Sequence, residues 1–167
     1  MKVQVPSCFA SILIATLALL SAPGACLAKT SVSKHGQVVL LQNDQVKVEY
    51  DLANGTYSAW SRKNKSLNLT GATLQVNEFS SDAAGLSRTW ESASVKDELG
   101  TGRTLLVNAS GPGQPDLLLE IALYDGRSFL ALSGGVKNTL GQSLRVKEIN
   151  PVHHAKVFDG VRPKSGL

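Results

Sequence analysis

From Gln45 to Leu52 the side chains change character at every residue: Val46, Val48, Tyr50 and Leu52 are apolar, and Lys47, Glu49 and Asp51 between them are charged. Neighbouring side chains of an extended chain point to opposite faces, so this period of two predicts a strand with one face buried and one in water. Asn54-Gly55 follows, a pair that tolerates left-handed backbone at both centres of a tight turn, and Thr56 to Ser61 leads away with Thr56, Tyr57 and Trp60. The unit predicts a β-hairpin. A chain containing it must supply a second layer to close over the apolar face.

Further extended segments are predicted over Leu74–Phe79, Arg88–Val95, Arg103–Ala109, Leu117–Tyr124, Arg127–Lys137 and Leu144–Ile149. Turn chemistry divides them: Gly100-Thr101-Gly102, a longer loop from Gly111 to Pro115, Asp125-Gly126 as a second hairpin turn, and Leu140-Gly141-Gln142. After residue 29 no capped segment of about twelve residues keeps a helical period. The expected fold is therefore all-β, an antiparallel two-sheet β-sandwich. Leu117–Leu123 and Phe129–Leu132 are apolar on successive residues and are expected to be covered on both faces, whereas the first hairpin and Leu144–Ile149 alternate as outer strands do. Gly134-Gly135 inside a strand predicts a bulge or a close backbone approach. Uncovered sheet edges predict some self-association.

The amino-terminal segment has another character. Lys2 is followed by an uncharged run from Phe9 to Leu20 and a small-residue stretch from Ser21 to Ala28 that contains Pro23-Gly24. This is the pattern of a secretory signal peptide over residues 1–28, with cleavage between Ala28 and Lys29 or, as the second choice, after Ala25. Lipid attachment at Cys26 is the minor alternative, since a small residue precedes that Cys but Pro23 stands where the motif favours Leu. The expected location is secreted or periplasmic. The apolar run is about a dozen residues where a membrane span needs roughly 20, so no stable membrane span is expected. Removing 28 residues from 167 leaves 139, enough to bury the core of one β-sandwich domain over residues 29–167. Both cysteines, Cys8 and Cys26, leave with the leader, so neither a disulfide nor a cysteine-based zinc site is expected. A net charge of +4 with only 18% charged residues implies no nucleic-acid partner.

Catalytic groups are sparse. A glycosidase needs two carboxylates across one sugar bond, but Glu49, Asp51, Asp97 and Glu98 read as solvated strand and turn charges. His153-His154 are adjacent on an expected strand and should point to opposite faces. No third ligand stands at metal spacing from them, and no metal or cofactor is expected. Trp60 and Trp90 are the candidate sugar-stacking platforms, because an indole offers apolar area to a pyranose ring while its N–H keeps a polar partner. Aromatics make up only 5% of the chain, which argues against an extended binding strip. Arg62, Lys63 and Lys65 read as a solvated basic turn. Asn54, Asn64, Asn68 and Asn108 begin Asn-x-Ser/Thr sequons that would matter only in a eukaryotic secretory route.

Two phrases carry a family resemblance: Leu41 to Ser61, LQNDQVKVEYDLANGTYSAWS, and Phe129 to Val152, FLALSGGVKNTLGQSLRVKEINPV. Together they cover about a third of the chain after the leader. They resemble the galactose-mutarotase-like β-supersandwich domain that precedes the catalytic barrel in family 36 glycoside hydrolases, the bacterial melibiase-like α-galactosidases. In the second phrase the resemblance implies a strand pair, in which a long strand ends at Lys-Asn-Thr and returns to a stop before Pro151. The family's catalytic aspartates lie on the barrel, which needs about 250 residues, so none carries over and the chain is expected to be the non-catalytic sandwich part. The implied ligand is a galactoside-type carbohydrate. Two alternatives stand beside it: a free-standing carbohydrate-binding or cell-envelope module, and an aldose-1-epimerase-like enzyme, whose group uses a His with a Glu and makes His153 and His154 its candidates.

Overall fold

Period-two alternation becomes pleat in the computed structural model, which describes residues 29–64 and 68–158. Among these residues the strands are β1 (Ser31–His35), β2 (Val38–Gln42), β3 (Val46–Asp51), β4 (Thr56–Ser61), β5 (Asn68–Val76), β6 (Phe79–Ser80), β7 (Ser87–Asp97), β8 (Gly100–Ser110), β9 (Asp116–Tyr124), β10 (Leu130–Lys137), β11 (Ile149–His153) and β12 (Lys156–Val157). None of the described residues is helical, and no helix among them is long and apolar enough to cross a membrane. The expected signal peptide, the cleavage position at Ala28 and the Cys26 alternative lie outside the described residues.

The strands form two antiparallel sheets. Sheet 1 has the order β1-β2-β3-β4-β5-β11, with β6 and β12 also paired to β5, and sheet 2 has the order β10-β9-β8-β7. Val39, Leu41, Val48, Tyr50, Tyr57, Ala72, Leu74 and Val76 close from sheet 1 onto Leu105, Val107, Ala109, Leu117, Leu119, Ile121 and Leu123 of sheet 2. All of these side chains are buried. Each Leu, Ile or Val taken from water in this way stabilises by about 1.5–3 kcal/mol. The architecture is thus the expected β-sandwich.

Polar ties lock the two layers in register. Asn43, buried in the turn between β2 and β3, donates through Nδ2 to the carbonyls of Tyr124 (2.7 Å) and Arg127 (2.8 Å) on the other sheet. Its Oδ1 accepts from the backbone N–H groups of Gln45 and Val46, both at 2.8 Å, so both ends of the amide are used. Arg88 of β7 reaches across to carbonyls of Ser81 (2.8 Å), Ala53 (2.9 Å) and Ala83 (3.0 Å). Within sheet 1, Tyr57 donates its hydroxyl to the Pro151 carbonyl at 2.7 Å, tying β4 to β11 across the intervening β5.

Several local expectations change. Asn54-Gly55 is the second half of a four-residue turn, because Asp51 accepts from the N–H groups of Ala53 (2.8 Å) and Asn54 (3.3 Å) and Gly55 N–H closes back on the Asp51 carbonyl. Only Gly55 is left-handed there (φ 71°). Gly100 to Gly102 lie inside β8, and the turn falls at Glu98-Leu99, where Asp97 Oδ1 accepts from Leu99 N–H at 2.8 Å. Asp125-Gly126 opens a five-residue loop before Leu130, so Phe129 is exposed instead of covered. Leu118 is also 40% exposed, so β9 is covered on both faces only toward its end.

The largest change concerns Phe129–Val152. It is not a strand pair: β10 belongs to sheet 2 and β11 to sheet 1, where β11 pairs with β5. Leu144 to Glu148 is irregular, with Asn77 Oδ1 accepting from Lys147 N–H (2.9 Å), and the strand starts at Ile149 and passes through Pro151. The ladder shifts register between Asn150 and His153, which accommodates a residue with no N–H to donate. Gly134 is a close approach, as expected: a Cβ there would stand 2.7 Å from Ile149 Cγ2 and 2.8 Å from Leu74 Cδ1. The β1–β2 hairpin, turning at Gly36-Gln37, was not anticipated from the sequence.

Gly55 and Asn43 make the ties testable. A Cβ on Gly55 would collide with the Ser81 carbonyl oxygen and Arg88 Nε, and its backbone is left-handed as well. Gly55→Ala is expected to cost about 3 kcal/mol or more, and Asn43→Ala about 3 kcal/mol through four unmade hydrogen bonds. Urea denaturation measures both, and a loss below about 1 kcal/mol in either variant would contradict these roles.

Candidate functional site

Trp60 stands on the water-facing side of sheet 1 because its neighbours Tyr57 and Ala59 take the core positions of β4. The register builds a row around it, Gln42–Lys47–Trp60–Asn68, across four strands. Lys47 Nζ lies 5.7 Å from the indole centroid and 2.6 Å from Glu49 Oε1, so the cation shares itself between ring and carboxylate. Trp60, Ser61, Arg62 and Asn68 line an open depression of about 450 Å³. Arg62 is held there by the Asn43 carbonyl, which accepts from Nη1 at 3.1 Å. A second cleft, about 380 Å³, adjoins the same Trp and is walled by Leu69, Phe129, Leu130 and Phe158. Phe129 and Phe158 are 43% and 52% exposed, so three aromatic side chains meet at this end of the sandwich.

The other sequence candidates lie elsewhere. Trp90 sits opposite Val107 in β7, half-buried against the core, on the other sheet from Trp60. It borders a groove of about 530 Å³ on sheet 2 and shares no cleft with Trp60. His153 and His154 do come together, with ring centroids 3.9 Å apart at 69°. They were expected on opposite faces; His154 has left as the strand ended and has φ 54°, which swings its ring back onto its neighbour. Neither ring lines the Trp60 clefts or the sheet 2 groove.

The acids serve structure. Asp51 caps its turn, Glu49 pairs with Lys47, and Asp97 accepts the Tyr124 hydroxyl at 2.6 Å. That bond holds the Asp97 carboxyl below its ordinary range, and the Thr30 N–H holds Asp125 down in the same way. A general acid needs the opposite displacement. Among the described residues no group of three His, Cys, Asp or Glu is placed to hold a metal ion. Phe129 and Phe158 were not anticipated at the site, since nothing in the spacing of residues 60, 129 and 158 links them.

No protein-family model matches the chain, and no match to it was found among curated proteins or solved structures.

All three tyrosines titrate late. Burial pushes Tyr50 up to about 12 and raises Tyr57 further, and the bond to Asp97 raises Tyr124 to about 12. A folded value above the unfolded one favours the neutral phenol. The stabilisation is complete below the ordinary value near 10 and is lost as pH rises toward the folded values. Absorbance at the phenolate band should stay flat past pH 10 and rise together with the loss of β-sheet circular dichroism. A normal tyrosine titration in folded protein would contradict the burial of Tyr50 and Tyr57.

Proposed function

We propose that this chain is an exported, non-catalytic β-sandwich domain that binds carbohydrate, of the type that precedes the barrel in family 36 α-galactosidases, with Trp60 as its stacking platform. The observation that carries the reading is Trp60 itself: an indole on the outer face of a rigid sheet, with an amide, a hydroxyl and a guanidinium at its rim. A pyranose offers C–H groups to such a ring and hydroxyls to such a rim. Hydrolysis belongs to a catalytic unit elsewhere, and this domain contributes binding. Trp90 has a structural role in packing sheet 2. The His153–His154 contact does not favour the epimerase reading, since the two rings pack edge to face on each other and neither lines the Trp60 clefts or the sheet 2 groove.

Galactosides and other saccharides are expected to quench tryptophan fluorescence in a saturable way. Trp60→Ala should lose the response, and Trp90→Phe should keep it, with binding checked by calorimetry. An absence of any response across saccharides would remove the proposal. Cleavage of p-nitrophenyl α-galactoside by this chain alone should be blank, and robust turnover would overturn its non-catalytic character.

A further inference from the structure

The outer face of sheet 2 carries a surface that the Trp60 site does not use. The register aligns Glu91, Leu106, Glu120 and Ser133 in one row across β7, β8, β9 and β10, and Asn108, Leu118 and Gly135 in the next. Leu106 and Leu118 are 37% and 40% exposed and line the groove of about 530 Å³. Ala93, Thr104, Ala122 and Ala131 share a third row; Thr104 and Ala122 are buried there beside Tyr124, so the open part of the face is the two rows that hold Leu106 and Leu118. Pleat parity puts Glu91, Asp97, Asp116 and Glu120 on this face against Lys137 alone, in a chain of formal net charge +4. The face is apolar at its centre and acidic around it.

We propose that this face docks a cationic amphipathic helix of a partner protein. A sheet face offers no free backbone groups, so an extended strand laid on it would leave its own N–H and C=O groups unpaired, whereas a helix satisfies them internally. Four strands span about 14 Å at their usual spacing, wide enough for a helix about 10 Å across. The acids select lysine or arginine beside the apolar stripe. The same acids oppose a second copy docking face to face, because Glu91 and Glu120 would meet their own kind. They also oppose nucleic acid and anionic membrane. Trp90 borders the groove but is packed against the core on the inward-facing side of the pleat, so a saccharide meets aliphatic Leu106 and Leu118 on the outer face.

The probe is a synthetic Leu/Lys peptide of about 18 residues with leucines at helical spacing. Its controls are a Leu/Glu peptide of the same pattern and an alternating Val/Lys peptide that favours strand. NMR amide shifts should place the Leu/Lys peptide on β8 and β9. Leu106→Thr with Leu118→Thr should weaken it at least tenfold with only a small change in Tm, since both side chains are more than a third exposed and lie outside the buried core. Glu91→Lys with Glu120→Lys should transfer the preference to the Leu/Glu peptide, an outcome that does not depend on the leucine variant folding. Several outcomes would overturn the proposal: no binding at millimolar peptide, equal binding of the Leu/Glu peptide, equal or tighter binding of the Val/Lys peptide, or saccharide-induced shifts on this face. Because Trp60 lies on the other sheet, loss of the saccharide response leaves this result unaffected.

Discussion

Arg88 is the constraint on which the relation of the two sheets rests. Among the described residues its guanidinium has no carboxylate partner and donates instead to backbone carbonyls: Ser81 at 2.8 Å, Ala53 at 2.9 Å, Ala83 at 3.0 Å, and Leu52 and Leu86 at 3.4 Å. These oxygens belong to the β3–β4 turn and to the segment between β6 and β7, so one side chain joins the turn of sheet 1 to the edge of sheet 2. Only a planar fork with five donors reaches so many acceptors, and a lysine could not replace it. Gly55 has to be bare for the guanidinium to pass, and Ser81 completes the knot by donating to the Gly55 carbonyl at 2.8 Å.

With this end knotted and Asn43 binding the other turn to the β9–β10 loop, the sandwich holds two outer faces of different chemistry in fixed relation. Sheet 1 presents Trp60 with Lys47, Asn68 and Arg62. Sheet 2 presents Leu106 and Leu118 among carboxylates. Core side chains alternate with these surface ones along the same strands, so neither face can be rebuilt by changing register: a slip of one residue would send Val48 or Ile121 outward. Side chains held on paired strands stay in place without a ligand, so the binding we propose for these faces carries a reduced ordering cost.

Much of the fold was legible in the residues. Val46, Val48 and Tyr50 alternate with Lys47, Glu49 and Asp51, and β3 buries and exposes them as that pattern requires. Turns were less legible, because side chains decide them. Asp51 pulls the first hairpin into a four-residue turn, and Asp97 moves the β7–β8 turn off the glycines. The return from β10 differs from the strand pair that the resemblance implied: the chain changes sheets and β11 joins β5, a choice of partner that local sequence does not carry. At the site, Trp60 was identifiable as an indole on a polar strand face, whereas Phe129 and Phe158 reach it only through loops far apart in the chain.

By itself the sequence determined the class of this protein: period-two alternation with no helical period after residue 29 leaves antiparallel sheets as the way to satisfy backbone hydrogen bonds while burying one face. It also determined which side of β3 and β4 faces the core, because that is a local property of the pleat. The tertiary structure decided which strands are neighbours, which glycine must remain a glycine, and which surface groups stand together. Those depend on contacts between residues tens of positions apart, such as Asn43 with Tyr124 and Tyr57 with Pro151, and local periodicity carries no information about them.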